Sequence, residues 1–323
     1  MTVKSLLPLL ALLLACVPAM GRQDSDLDEL RKMLGEEKPQ RGTERSSGEH
    51  PRPQEPEDGT EEYDLDADAE VAVQIVTGSI RVTTRKGSKA KLTVEKTGPG
   101  REEIEVKVDA SAKRLHVGTK YPEDWWRRRE NGQGESTRVD VKLELPERVG
   151  SVELTTVVGE IDAEGIEASN AKFVSTTGQV GLAHIRADVQ VTTVNGALRL
   201  RGVVSQRTTL TTVNGSVTGA VRARTLIASS VNGEVSLQAL PPREGEWSVK
   251  GSSVSGSLTL TLPRDCGARL DVTGGDIECE FELRNRRERK NFLNRSLHGS
   301  FGDGAGSVSL TTLNAQVRVK RGD

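Results

Sequence analysis

The chain has 323 residues, of which 45 are Lys or Arg and 47 are Asp or Glu, so its formal net charge is −2. This near balance argues against a dedicated nucleic-acid-binding protein, which would need an excess of basic residues. The three Cys exclude a disulfide-dense scaffold and a four-thiolate zinc site, and the four His are too far apart for a paired metal motif. We therefore expect no metal, no cofactor and no nucleic-acid partner.

The amino terminus is typical of a secretory signal. Lys4 precedes an apolar stretch, Leu6 to Val17, of about 12 residues, which is too short to span a bilayer because a spanning helix needs roughly 20. Small residues at Ala19 and Gly21 suit cleavage after residue 21. We therefore predict an exported chain that is periplasmic, secreted or anchored to the outer membrane.

A second processing route starts from the same segment. Leu13-Leu14-Ala15-Cys16 resembles a bacterial lipobox, in which Cys16 would be diacylated. Both routes stay open at this point, and the lipid on Cys16 would be the only contact of the chain with a membrane.

Residues 22–62 form a charged segment. They include 13 acidic and 7 basic residues and four Pro, with few large apolar side chains. Such a segment cannot bury enough apolar surface to offset the entropy lost on ordering. We therefore predict a disordered linker that is acidic and rich in Pro.

Short segments of similar sequence recur along the rest of the chain. They align on the template T-T-V-N-G-x followed by Val, Ile or Leu. The copies are LTTVVGEID (154–162), VSTTGQVGL (174–182), VTTVNGALRL (191–200), LTTVNGSVTG (210–219), ASSVNGEVSL (228–237), GSSVSGSLTL (251–260), LDVTGGDIEC (270–279) and LTTLNAQVRV (310–319), with an outlying copy VQIVTGSIRV (73–82). They define residues 151–323 as a region of β-strand repeats.

The template glycines are spaced almost evenly. Successive intervals are 19, 18, 19, 18, 23 and 19 residues between Gly159, Gly178, Gly196, Gly215, Gly233, Gly256 and Gly275. After each glycine, apolar and polar residues alternate, which indicates a strand with one buried face. The glycine indicates a corner, because it permits positive φ there.

Equivalent positions of the copies carry the same residue types, as stacked positions should. The repeated pairs are Asn195-Gly196, Asn214-Gly215 and Asn232-Gly233, and the repeated hydroxyl residues are Thr193, Thr212 and Ser230. Stacking would let these amides and hydroxyls form ladders. Together with the constant period, this favours a parallel β-solenoid of 18–19-residue repeats. The alternative is a meander of hairpins with Asn-Gly turns.

Residues 63–150 contain strand-like stretches that do not follow the regular period. These stretches are Val71–Thr84, Lys89–Lys96, Glu103–Val108, Arg114–Thr119 and Arg138–Leu145. Because a solenoid needs its apolar end covered, we interpret this region as an N-terminal β-sheet cap.

The repeated template behind a signal and a polar spacer resembles a bacterial family named putative adhesins. The resemblance covers roughly residues 65–320, and LTTLNAQVRVKRG (310–322) looks like the family's usual ending with Ala315 in place of Gly. It implies a β-strand-repeat domain of unknown function in an exported protein. The motif contains no catalytic residue, so the resemblance implies none here.

Two Trp in an aromatic-poor chain stand beside a cluster of cations, at Trp125, Trp126, Arg127 and Arg128. An exposed Trp pair of this kind can stack on a sugar ring or anchor a partner. The alternative is that the rings plug one end of the solenoid while the Arg side chains are solvated.

Two further features are candidates for chemistry. Cys266 and Cys279 remain after the signal, and in an oxidising compartment they could form a disulfide, while a buried thiol at Cys279 explains the sequence equally well. Arg284 to Lys290 is a basic run between repeats, interpreted either as a solvated loop or as a contact for an anionic partner.

These patterns predict an exported, non-enzymatic β-repeat protein of the cell envelope or surface, with an unidentified partner that includes glycans among the candidates. A glycan-binding module centred on Trp125 and Trp126 is the first alternative. A polysaccharide-cleaving β-helix enzyme is the second, and it would need convergent carboxylates in a groove.

Overall fold

A computed structural model describes residues 59–122, 125, 137–242, 244–290, 294–313 and 315–322. These residues belong to one compact unit, Pro53–Asp323. The signal segment with Cys16, the linker up to residue 58, and Trp126, Arg127 and Arg128 lie outside the described residues.

The described residues form 23 β-strands, and a short 3-10 turn lies at Arg101–Glu103. The first seven strands are β1 (Gly59–Asp64), β2 (Glu70–Thr77), β3 (Ile80–Arg85), β4 (Lys89–Thr97), β5 (Glu105–Ser111), β6 (Arg114–Lys120) and β7 (Arg138–Pro146). The next eight are β8 (Ser151–Val158), β9 (Ile161–Glu164), β10 (Glu167–Thr177), β11 (Val180–Ala183), β12 (Arg186–Asn195), β13 (Leu198–Asn214), β14 (Val217–Asn232) and β15 (Val235–Ala239). The last eight are β16 (Trp247–Ser253), β17 (Leu258–Leu262), β18 (Ala268–Gly274), β19 (Asp276–Cys279), β20 (Arg284–Lys290), β21 (Arg295–Phe301), β22 (Gly306–Thr312) and β23 (Gln316–Arg321).

Alternating burial explains why these segments are strands. In β2, Val71, Val73 and Ile75 are buried while the residues between them are partly exposed, and most other strands repeat this pattern. Period-two alternation of β-branched residues suits a pleated sheet with one face in the core. The prediction of an all-β chain is confirmed.

The strands hydrogen-bond into one sheet that contains two ladders. The first ladder has the order β5, β6, β2, β8, β10, β12, the second half of β13, the second half of β14, β16, β22, β18, β21 and β20. The second ladder has the order β1, β4, β7, β3, β9, β11, the first half of β13, the first half of β14, β15, β17, β23 and β19. Each repeat thus contributes one strand to each ladder, and its glycine lies between the two.

The pairing is mixed, so the structure is not the purely parallel β-solenoid that was predicted for the repeats. The repeat strands pair in parallel, including β12 with β13 and β13 with β14, so the Asn-Gly steps are not hairpin turns. Antiparallel pairs occur towards the two ends, where β4 joins β1 and β7, β5 joins β6, and β21 joins β18 and β20. These antiparallel strands let the chain turn back at the ends of the stack.

The order of the repeats in space differs from their order in sequence. The last copy, β22 and β23, lies between the copy at β16 and β17 and the copy at β18 and β19. Small residues make room for this insertion, because a Cβ at Gly306 would overlap the Trp247 ring and one at Gly251 would approach Leu310 at 2.7 Å. The early copy, β2 and β3, is likewise inserted between β6 and β7 on one side and β8 and β9 on the other.

The repeat glycines form a stacked column. A Cβ on Gly178, Gly196, Gly215 or Gly233 would lie within 2.0 Å of the carbonyl oxygen of the preceding column glycine, and Gly256 would meet Gly233 in the same way. The last four glycines of that column do not have positive φ. The predicted reason for glycine is therefore wrong at these positions, because close approach of stacked backbones requires it.

The Asn residues before these glycines form a ladder along the stack. Asn214 Nδ2 donates to Asn195 Oδ1 at 2.9 Å, and Asn232 Nδ2 donates to Asn214 Oδ1 at 3.0 Å. Thr193, Thr212 and Ser230 are in register and buried, but their hydroxyls do not hydrogen-bond to one another. Ser229 and Ser252, which are also in register on neighbouring strands, do hydrogen-bond through their hydroxyls at 3.0 Å, so the strand spacing alone does not prevent such a ladder.

Candidate functional site

A groove lies on the outer face of the second ladder. It crosses β3, β9, β11, β13 and β14 and has a volume of about 640 Å³. Its size falls in the range of ordinary ligand sites, which span roughly 300 to 1,000 Å³. Most of its exposed lining is apolar, and five charged side chains stand among the lining residues: Arg81, Asp162, Glu164, Arg199 and Arg201.

Small side chains on β11 create the groove. Gly181 and Ala183 occupy the two outward positions of this strand. The neighbouring outward positions carry longer side chains, with Asp162 on one side of Gly181 and Arg199 on the other. The short strand β11 is therefore the floor, and the adjacent strands supply the walls.

A carboxylate extends over this floor. A Cβ at Gly181 would lie 2.5 Å from Asp162 Oδ1, so the glycine leaves the space that the carboxylate uses. Among the described residues, no hydrogen bond or ion pair engages Asp162. Glu164, two residues along β9, is exposed on the same outward face. The two carboxylates remain available to accept hydrogen bonds from a ligand.

Three guanidinium groups flank the carboxylates. Arg81 on β3 is in register with Asp162, and Arg199 and Arg201 occupy the outward positions of β13. Arg199 donates to the Gln179 side-chain oxygen, which fixes the orientation of its side chain. Donors and acceptors thus alternate across neighbouring strands, an arrangement that complements a ligand with many hydroxyl or carboxylate groups.

The residues of this groove escaped the sequence analysis. Arg81, Asp162 and Arg199 are ordinary polar members of the alternating pattern. The available signal was the pair of small residues, Gly181 and Ala183, where other copies carry Arg, Thr or Ser at outward positions. Recognising the groove also requires the strand register, which places β3 beside β9 across some 80 residues of sequence.

Trp125 does not lie in this groove and is not on the surface. Its side chain is 3% exposed, packs within the core cluster, and meets Tyr121 in a tilted ring contact at 5.2 Å. A buried ring offers no face to a sugar, so the structure does not support Trp125 as a stacking platform. Trp126, Arg127 and Arg128 are outside the described residues.

Cys266 and Cys279 are free thiols in the structure rather than a disulfide. Cys266 Sγ donates to the carbonyl oxygen of Pro263 at 3.0 Å. Burial, with a smaller contribution from Asp265, raises the pKa of Cys266 to about 11, and burial also raises the pKa of Cys279. Both groups are therefore held as neutral thiols at ordinary pH.

We expect Cys266 to react slowly with iodoacetamide in the folded protein. At pH 8 a thiol of pKa about 11 is ionised only about once in 1,000 molecules, and the thiolate is the nucleophile. Peptide mapping by mass spectrometry should show labelling that rises steadily from pH 8 to pH 10 and is at least about 10-fold faster in urea. Equal rates in folded and unfolded protein would contradict the assignment.

The two stacked ladders define a β-solenoid-like repeat protein. The chain belongs to the Toastrack DUF4097 family, whose model matches residues 72–320. The predicted resemblance is thereby confirmed. Comparison with curated proteins found no match.

Three solved structures are similar to this chain at low identity. A putative adhesin from Bacteroides fragilis NCTC 9343 is 14% identical, with 80% of this chain and 95% of that chain covered and a TM-score of 0.43. A putative cell adhesion protein from Clostridium sporogenes ATCC 15579 is 11% identical, with 82% of this chain and 99% of that chain covered and a TM-score of 0.28. A putative lipid binding protein from Parabacteroides distasonis ATCC 8503 is 13% identical, with 81% of this chain and 96% of that chain covered and a TM-score of 0.33. At these scores the likeness carries no argument about a ligand.

The described residues contain no helix that is long and apolar enough to cross a membrane.

Proposed function

We propose that the chain is an exported, non-enzymatic binding module of the cell envelope or surface, and that the groove over β11 is its ligand site. The observation that carries this proposal is the charged rim around a floor of Gly181 and Ala183, with Asp162 left without a partner in the described structure. An unpaired carboxylate between guanidinium groups can accept hydrogen bonds from a polar ligand.

A glycan is the ligand class that fits the groove. Sugar hydroxyls both donate and accept hydrogen bonds, so they match carboxylates and guanidinium groups on neighbouring strands. No aromatic residue lines the groove, so recognition relies on these hydrogen bonds rather than on stacking. An acidic sugar would add a charge-assisted contact to Arg199 or Arg201.

The stacked backbone supplies the mechanism of binding. Neighbouring strands are hydrogen-bonded in parallel register, and the glycine column holds successive repeats at close distance. Charged groups on such a scaffold keep their spacing, so little conformational entropy is lost when a ligand binds. In this proposal the signal at 1–21 directs export, and the acidic linker holds the repeat unit away from its attachment point. Residues 59–62, which the sequence assigned to this linker, belong to β1 instead.

The experiment is a binding assay with the full chain against two soluble polymers, the acidic glycan polygalacturonate and the neutral glycan dextran. We expect polygalacturonate to bind more tightly, and Ala183→Trp to weaken that binding at least about 10-fold because the indole fills the groove floor. The matched control is Thr259→Trp, an outward position on β17 of the same ladder but outside the groove.

Each other outcome contradicts part of the proposal. Absence of binding to both polymers would overturn the glycan assignment, and equal losses in the two Trp variants would move the site away from β11.

Asp162 and Glu164 also stand two residues apart on one face, as the glycan-cleaving alternative requires. Release of reducing ends that disappears in Asp162→Asn and Glu164→Gln would overturn the non-enzymatic assignment.

A further inference from the structure

The basic run Arg284 to Lys290, interpreted from sequence as a solvated loop or as a contact for an anionic partner, is the edge strand β20. It pairs antiparallel with β21, and within the described part of the chain it has no second strand partner. All seven residues are exposed, and five of them are Arg or Lys. One side of β20 therefore presents unpaired backbone groups with a strong positive charge, and this is a site at which another extended segment can add.

Two cations of β20 point to the outer face of the first ladder. Arg287 is in register with His298, which is in register with Asp271 at an exposed position of β18. Arg289 lies two residues further along the same face, paired with Ser296. The two side chains therefore stand about 7 Å apart along the strand.

The opposite end of the stack has an acidic edge strand. β1 pairs antiparallel with β4 and with no second strand among the described residues, and its sequence GTEEYD contains three acids and no cation. Glu62 and Asp64 are exposed and lie two residues apart on the outer face, where Glu62 is in register with Lys91. Arg85, at 2.9 Å, lowers the pKa of Glu62 and keeps it ionised.

We propose that β20 of one copy pairs with β1 of a second copy, so that the repeat units associate head to tail. The charge patterns match, because Arg287 and Arg289 have the same two-residue spacing as Glu62 and Asp64. Opposite charges directly across two strands stabilise the pairing. The register of β20 shifts between Arg284 and Arg287, so the regular part of the strand, Arg287 to Lys290, can pair with four of the six residues of β1.

The charges also favour this pairing over an in-register stack. Stacking each ladder on itself would place β20 against β5, which has two acids and one Lys, instead of against β1, which has three acids and no cation. It would also bring β19 against β1, and neither of these strands carries a cation. Pairing β20 with β1 instead joins the first ladder of one copy to the second ladder of the next. Such a contact is heterologous, because it joins two different surfaces of the chain. The associated pair keeps a free β20 at one end and a free β1 at the other, so further copies can add.

Sedimentation velocity of the full chain over a concentration series tests the proposal. We expect concentration-dependent association at about 0.05 M salt and its loss at about 0.5 M salt, because screening shortens the reach of the charge pairs. A chain that stays monomeric at low salt overturns the proposal. If it stays monomeric while a synthetic acidic peptide binds β20, the edge serves a different, acidic partner.

Variants in which the charges of one strand are reversed identify the strands that pair. The variant Arg287→Glu, Arg289→Glu should be monomeric, and so should the variant Glu62→Lys, Asp64→Lys. An equimolar mixture of the two variants should associate again, because each supplies the charge that the other lacks. If loss of the Glu62–Arg85 contact unfolds the second variant, Asp64→Lys alone takes its place, since Asp64 has no ion pair to any described residue.

Two results of this exchange would overturn the assignment. Association that survives both variants would place the contact elsewhere, and a mixture that stays monomeric would show that β20 and β1 do not meet. The proposal is independent of the groove, because all substituted residues lie outside it.

Discussion

Gly215→Ala should be among the most destabilising single methyl additions in this protein. The added Cβ would lie 2.0 Å from the carbonyl oxygen of Gly196 and 2.7 Å from its carbonyl carbon, and both are backbone atoms that cannot rotate away. Gly233 stacks on the other side, where a Cβ on Gly233 would lie 2.0 Å from the carbonyl oxygen of Gly215. A backbone shift that moves Gly215 away from Gly196 would therefore push it against Gly233. We expect a loss of about 3 kcal/mol in the free energy of unfolding, at the upper end of overpacking.

Thermal unfolding followed by circular dichroism measures this effect. A loss of about 3 kcal/mol corresponds to a fall in Tm of roughly 6–12 °C for a unit of this size. The matched control is Gly118→Ala in β6, where the nearest atom to a new Cβ is His116 Nε2 at 3.9 Å. We expect the control to change Tm by no more than about 2 °C, because the contact is ordinary and Ala restricts the unfolded chain. Equal falls in both variants would contradict the stacked column.

The glycine column also shows what the sequence alone could establish. The 18–19-residue period and the alternating burial predicted an all-β repeat, and the Asn residues stack as the template suggested. These are local and periodic signals. The predicted positive φ is used at Gly159 and Gly178 but not at the later glycines of the column, and a single copy shows only that a corner exists. The distance between neighbouring copies, which excludes a Cβ, becomes visible once they are stacked.

The order of the repeats could not be predicted because it depends on contacts between distant segments. The 40 residues between Gly275 and Ala315 look like two periods, but they contain the β20–β21 hairpin before the last copy inserts beside β16. The insertion is specified by pairs such as Trp247 with Gly306, which are far apart in sequence. The groove and the basic edge strand escaped prediction for the same reason, since both depend on which strands become neighbours.

Trp125→Ala should destabilise the folded unit rather than remove a ligand contact. The indole is 3% exposed, lies against Tyr121, and leaves 3.6 Å between its Cζ3 and the Cβ position of Gly100. Truncating a buried aromatic side chain costs roughly 3–5 kcal/mol, so we expect a fall in Tm of about 6–20 °C. Thermal unfolding of the full chain measures it, alongside the polygalacturonate assay.

The conservative variant Trp125→Phe separates packing from recognition. Within the described structure the indole Nε1 has no hydrogen-bond partner, so Phe loses only part of the packing and should cost about 1 kcal/mol. Both variants should bind polygalacturonate as the parent chain does at a temperature where they are folded, because the groove residues lie on β3, β9, β11, β13 and β14. An unchanged Tm combined with lost glycan binding in Trp125→Ala would reverse this conclusion. It would show that the ring reaches solvent and contacts the sugar, as the glycan-binding interpretation of Trp125 and Trp126 requires.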